Sequence, residues 1–163
     1  MILVLGRPDS GKSKIAEDLI MELSGGGRKI YLATMIPYGE EGQRRIEKHR
    51  KLREGKDFET VECPMDLRSQ SGFGGAYCLL ECVSNLVGNE MHVEERLNWE
   101  TKRVAELVLD EIRWLQEKTA GLVVVTNEFE KEEGFDEDTL RYIEITGLVN
   151  DGLRAMASRV VEV

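Results

Sequence analysis

Gly6-Arg7-Pro8-Asp9-Ser10-Gly11-Lys12-Ser13 joins an apolar run at residues 2–5 to a segment, 13–23, in which Ile15, Ala16, Leu19, Ile20 and Leu23 share one helical face. The eight residues fit G-x-x-x-x-G-K-S, a phosphate loop, and strand–loop–helix is the context that motif requires. Its glycines let the backbone curl so that successive N–H groups point at a phosphate. The helix N-terminus adds a favourable dipole. In such a loop Lys12 reaches the β- and γ-phosphates as a point charge and the Ser13 hydroxyl ligates Mg²⁺. Pro8 removes one backbone donor. The alternative, a plain glycine turn with Lys12 on the surface, leaves the context unexplained. The motif supports nucleotide binding without choosing a reaction.

Outward from the loop, short β-rich runs at 29–33, 58–62, 77–80, 122–126 and 160–163 predict strands. Residues 42–54 predict a highly charged helix. Residues 92–115 predict a long one, with Leu97, Val104, Val108, Ile112 and Leu115 at helical spacing. Asp136 or Asp138 caps a last helix running to about 157. Residues 69–75 (SQSGFGG) predict a flexible loop. Alternation of strand and helix over 163 residues implies one α/β domain, 1–163, of the three-layer P-loop NTPase class, with a mostly parallel sheet flanked by helices.

Composition narrows the partners. Lys plus Arg is 22 and Asp plus Glu is 31, a net charge of −9. That disfavours non-specific nucleic-acid binding, which needs excess cations. No apolar run approaches the length of a membrane span. The first ten residues lack the basic start and long apolar stretch of a signal peptide. Three cysteines predict reduced thiols in a cytoplasmic protein, with Cys78 and Cys82 in the core. Residues 43–56 hold seven Lys or Arg against two Glu, and 128–138 hold seven acids against one Lys. The first block can grip a multiply charged anion; a solvated face is the plain alternative for either.

A P-loop site usually places an acid at the end of a neighbouring strand to orient Mg²⁺. Glu81 after 77–80 is the favoured residue, and Glu128 after 122–126 is its rival. Of the two histidines, His92 reads as a surface residue without a partner. His49 is flanked by Arg45 and Arg53, each four residues away. A neutral imidazole beside bound phosphate can attack phosphorus to give a phosphoramidate. A solvated basic helix accounts for the same residues.

The order of motifs resembles the bifunctional adenosylcobinamide kinase/adenosylcobinamide-phosphate guanylyltransferase family of cobalamin biosynthesis. The likeness runs from residue 2 to the C-terminus. After the loop come Tyr31-Leu32-Ala33-Thr34, Arg45-Ile46 with His49 and Arg53, and Thr60-Val61-Glu62 before Pro64. Leu79-Leu80-Glu81-Cys82 with Ser84 and Asn89 follows, then Thr126-Asn127-Glu128 and Gly147 with Val149-Asn150.

The resemblance implies a RecA-like sheet, a homotrimer, and two reactions. ATP or GTP phosphorylates the corrinoid's aminopropanol hydroxyl, and GMP from GTP is then transferred to that phosphate through a guanylylated histidine, here His49. It also implies nucleotide contacts at Gly6, Arg7, Pro8, Asp9, Ser10, Gly11, Lys12 and Ser13, at Ala33 and Thr34, at Arg50, Lys51, Leu52 and Arg53, and at Glu62 and Glu81. The metal residues would be Ser13 and Glu81. The chain departs from the family pattern at Arg7 and Asp9, where a glycine and an arginine are usual. It departs again at 129–134, which replaces a glycine-rich stretch.

Overall fold

The computed structural model describes residues 1–36 and 38–163. Six strands form one sheet: β1 (Ile2–Gly6), β2 (Lys29–Ala33), β3 (Phe58–Glu62), β4 (Tyr77–Leu80), β5 (Gly121–Asn127) and β6 (Arg159–Glu162). Their order is β3-β2-β4-β5-β1-β6, and every pairing is parallel. The expected mostly parallel α/β architecture is therefore borne out. Parallel strands need crossovers, and the helices α1 (Lys12–Ser24), α2 (Gly39–Arg53), α3 (Val83–Met91), α4 (Thr101–Lys118) and α5 (Glu137–Met156) supply all but the one from β3 to β4, which has no α-helix.

The central strands are buried on both faces, as their unbroken apolar sequences require. On one face Val4, Tyr31, Leu79 and Val123 pack with Ala16 and Ile20 of α1. On the other, Leu3, Leu5, Leu32, Leu80 and Val124 meet Leu86 and Val87 of α3, Val108 and Ile112 of α4, and Ile145 and Val149 of α5. α2 buries little, Arg53 being its one buried residue. It is tied to the α1 face through Arg53, whose guanidinium lies 3.7 Å over the Tyr31 ring.

The predicted long helix at 92–115 is corrected. The structure has α3 at Val83–Met91, a 3₁₀ turn at Glu94–Arg96, and α4 starting only at Thr101. Arg141 explains the break. Its guanidinium takes the carbonyls of Arg96 at 3.2 Å and Trp99 at 3.0 Å, which a continuous helix would have used internally. Leu97, counted as a core position, is half exposed. A second 3₁₀ turn, Leu67–Ser69, falls where no local pattern signals one. The cap of α5 is Asp136, whose side chain accepts the Thr139 N–H at 2.7 Å.

His92 is exposed, as expected, but it does have a partner. Its Nε2 meets the Asp138 carboxylate at 2.9 Å and its Nδ1 meets the Gly88 carbonyl at 2.6 Å, linking the end of α3 to the start of α5. Partial burial pulls its pKa down, but the carboxylate and carbonyl outweigh that and raise it above the ordinary value. A histidine favoured in its charged form by folding stabilises most below its unfolded pKa, about 6.5, and loses that contribution as pH rises through the raised value. His92→Ala is expected to lower the thermal midpoint clearly at pH 5.5 and little at pH 9. A midpoint loss independent of pH would contradict this.

Candidate active site

The carboxyl ends of β1, β2, β4 and β5 open into one cleft, where parallel sheets of this kind take ligands. Gly11, at φ +88°, turns the chain into α1. This left-handed conformation favours glycine. No side chain caps the start of α1 and no acid occupies its first turn, so its N–H groups and dipole are free for an anion. Gly6 is needed for space, because a Cβ there would lie 2.4 Å from the Val163 carbonyl oxygen.

A cavity of about 340 Å³ is lined by Pro8 to Lys14, Arg45, Lys48, His49, Leu52, Glu81, Asn85 and Asn127 among others. Lys12 is buried, and its Nζ donates to the Arg7 carbonyl at 2.6 Å. Burial pulls its pKa below the usual lysine value, although Cys82 and Asp9 act in the opposite direction. His49 shares this cavity, and its Nδ1 is buried with no hydrogen-bond partner. His49 also lines a second cavity of about 250 Å³ with Tyr31, Ala33, Gln43, Arg50, Arg53, Thr60 and Glu62. The imidazole thus stands between the phosphate loop and a further chamber over β2 and β3.

The expected site residues divide. Pro8 to Ser13, Leu52 and Glu81 gather with His49 around the first cavity; Ala33, Arg50, Arg53, Glu62 and Glu81 surround the second. Arg50 lies 3.5 Å from Glu62. Thr34 is buried below them, its N–H donating to Glu81 Oε2 at 3.1 Å and its hydroxyl to the Cys82 carbonyl at 2.8 Å. Lys51 lines neither cavity and pairs with Glu47 on the outer face of α2. Arg7 turns away from the cleft to bind Glu130. Glu128 is held by Arg154 at 2.7 Å, outside the cavity that contains Ser13.

The family model for cobinamide kinase / cobinamide phosphate guanyltransferase matches residues 2–163. The chain belongs to that family. It is 32% identical to the bifunctional adenosylcobalamin biosynthesis protein CobU of Escherichia coli (strain K12), over 98% of this chain and 93% of that protein. It is 30% identical to the protein of the same name from Salmonella typhimurium (strain LT2), again over 98% and 93%. Among solved structures, an ATPase domain superposes with a TM-score of 0.53 at 8% identity, covering 93% of this chain and 66% of that one. A DnaB-like replicative helicase gives 0.50 at 8% identity, over 93% of this chain and 45% of that one. At that identity the likeness is one of P-loop NTPase fold alone.

Four residues of this cobinamide kinase / guanyltransferase family member carry the cleft from below. Asn150 on α5 donates to the Asn127 carbonyl at 2.9 Å and accepts from Thr126 at 2.7 Å, and Asn127 reaches Ser84 on α3 at 2.9 Å. Asn85, beside Ser84, went unpredicted because α3 itself carried too short an apolar pattern to be read. Cys78 is buried as expected; Cys82 instead is half-buried on the cleft wall, its Sγ 3.0 Å from the Ser84 hydroxyl.

Proposed function

We propose that this chain phosphorylates the aminopropanol hydroxyl of adenosylcobinamide with ATP or GTP, and then transfers GMP from GTP to the new phosphate through a guanylylated His49. Membership of the family supports both reactions. The observation that carries the histidine step is the shared cavity: an imidazole with a buried, unpartnered nitrogen faces the same space as an uncapped phosphate loop. In the first reaction the acceptor hydroxyl oxygen bonds to the γ-phosphorus, the bond from γ-phosphorus to its bridging oxygen breaks, and the hydroxyl proton is lost as nucleoside diphosphate leaves. In the second, a His49 ring nitrogen bonds to the α-phosphorus and pyrophosphate leaves. The acceptor's phosphate oxygen then displaces the imidazole, which ends neutral.

Lys12 and the loop N–H groups hold the polyphosphate, and Lys14, Arg45 and Lys48 add positive charge around it. Arg50 and Arg53 face the second chamber, on the side where a guanosine attached to His49 would lie. Among the described residues no three or more His, Cys, Asp and Glu gather as a metal cage. Mg²⁺ does not need one, since it is commonly held by one or two protein oxygens plus substrate phosphates. The Ser13 hydroxyl and the Glu81 carboxylate line one cavity and fit that donor set. Bound there, the ion would neutralise phosphate charge.

We further infer a single domain working as a homotrimer in the cytoplasm. No helix of the described residues is long and apolar enough to cross a membrane, and all three cysteines are free thiols, which suits a reducing compartment. Light scattering is expected to return three times the monomer mass; a monomer at working concentration would overturn the trimer.

The function is tested by incubating the protein with Mg²⁺ and α-labelled GTP and then denaturing it. A label that survives alkali but not acid supports guanylyl transfer. Cobinamide phosphorylation without label reduces the reading to a P-loop kinase. Binding without turnover reduces it to a nucleotide-dependent regulator.

A further inference from the structure

On the side of the phosphate loop away from His49 lies a separate cavity of about 340 Å³. Arg7 of the loop, Phe129 and Glu130 beyond β5, and Ile143, Thr146 and Gly147 of α5 line it. Thr146 is 1% exposed, and its hydroxyl has no hydrogen-bond partner. A helical threonine ordinarily returns its hydroxyl to a carbonyl one turn back. A buried hydroxyl left unpaired is costly unless a ligand atom meets it.

The charges here differ from those around His49. Arg7 is taken by Glu130 and Arg154 by Glu128, which leaves Asp151 as the unbalanced charge on the lining. Phosphate is disfavoured in such a place. A neutral ring with donors and acceptors on its edge is favoured, its faces against Phe129 and Ile143 and its edge toward Thr146 and the carboxylates.

The two proposed reactions cut a triphosphate at opposite ends, and the corrinoid arm is the acceptor in both. When His49 attacks the α-phosphorus and pyrophosphate leaves toward the loop, the nucleoside stays on the His49 side of the loop, where the chamber over β2 and β3 has room for it. When the γ-phosphorus is transferred to an acceptor in the same cleft, the γ end must point there and the nucleoside must leave the loop on its other side.

We propose that the cavity between Arg7, Phe129, Ile143 and Thr146 holds the nucleoside of the phosphoryl donor, so that one phosphate loop takes a triphosphate in two opposite directions. This rests on the two-reaction reading above, and the binding test below does not depend on turnover. Photolabelling with Mg²⁺ and 8-azido-ATP, followed by peptide mapping, is expected to mark residues 129–151. Label confined to 31–62 would overturn the assignment.

Gly147 provides the second measurement. A Cβ there meets nothing within 4 Å and the position is helical, so leucine can be accommodated while filling the cavity. Gly147→Leu is expected to cut the photolabel and to raise the triphosphate KM of phosphorylation, relative to that of guanylylation, by about tenfold or more. Equal effects on both reactions would overturn the proposal. So would a rise in cobinamide KM alone, which would make the cavity an acceptor site. Label at 129–151 in a protein that turns over no cobinamide would sustain the nucleoside site and remove the enzymatic reading instead.

Discussion

His49→Ala is expected to abolish the acid-labile label from α-labelled GTP and to lower GMP transfer by roughly 10⁴-fold or more, the scale on which a lost covalent nucleophile is felt. The reason lies in how the ring is held. α2 is anchored to the sheet largely through Arg53 on Tyr31, and His49, one turn earlier, faces inward between two cavities. Its Nδ1 is buried and unpaired, so the ring nitrogen left to meet a phosphorus atom in the cleft is Nε2. Cobinamide phosphorylation involves no bond to this ring, and its rate is expected to fall much less, within about tenfold. Equal loss of both reactions would make His49 a residue that shapes the cleft. Retention of the label would place the covalent bond elsewhere.

Lys12→Ala is expected to depress both reactions, each on the order of 10²–10³-fold, because each needs the polyphosphate in the same loop. Lys12 is 5% exposed and its ammonium is spent on a backbone carbonyl of its own loop. A buried cation with that partner exchanges it readily for phosphate oxygens, which carry full charge. Measuring both half-reactions on one preparation, with the thermal midpoint as a check on folding, separates the outcomes. Guanylylation that survives Lys12→Ala would mean that the triphosphate reaching His49 is not held by the loop.

The loop residues and the central strands were legible in the chain because their signals are local. A G-x-x-x-x-G-K-S turn after an apolar run carries its own geometry, and five-residue β-branched runs predict the buried strands observed at Ile2–Gly6 and Lys29–Ala33. α3 is hidden from sequence, being nine residues whose apolar face is short, and Leu97 keeps the helical spacing ahead of the true start of α4 at Thr101. The break depends on Arg141, forty-five residues from Arg96, and no local pattern contains it.

The linear chain was enough to establish the phosphate loop, the α/β alternation, the clustered cations around His49 and, through the order of its motifs, the family. Those properties depend on neighbours along the chain. Folding alone set Glu81 on the cleft wall with Ser13 while Arg154 holds Glu128 outside it. It likewise turned Arg7 toward Glu130, paired His92 with Asp138 and opened a second cavity beside the loop. Each of these is set by crossovers that bring distant segments to one edge of a parallel sheet, and by the charge each side chain meets there.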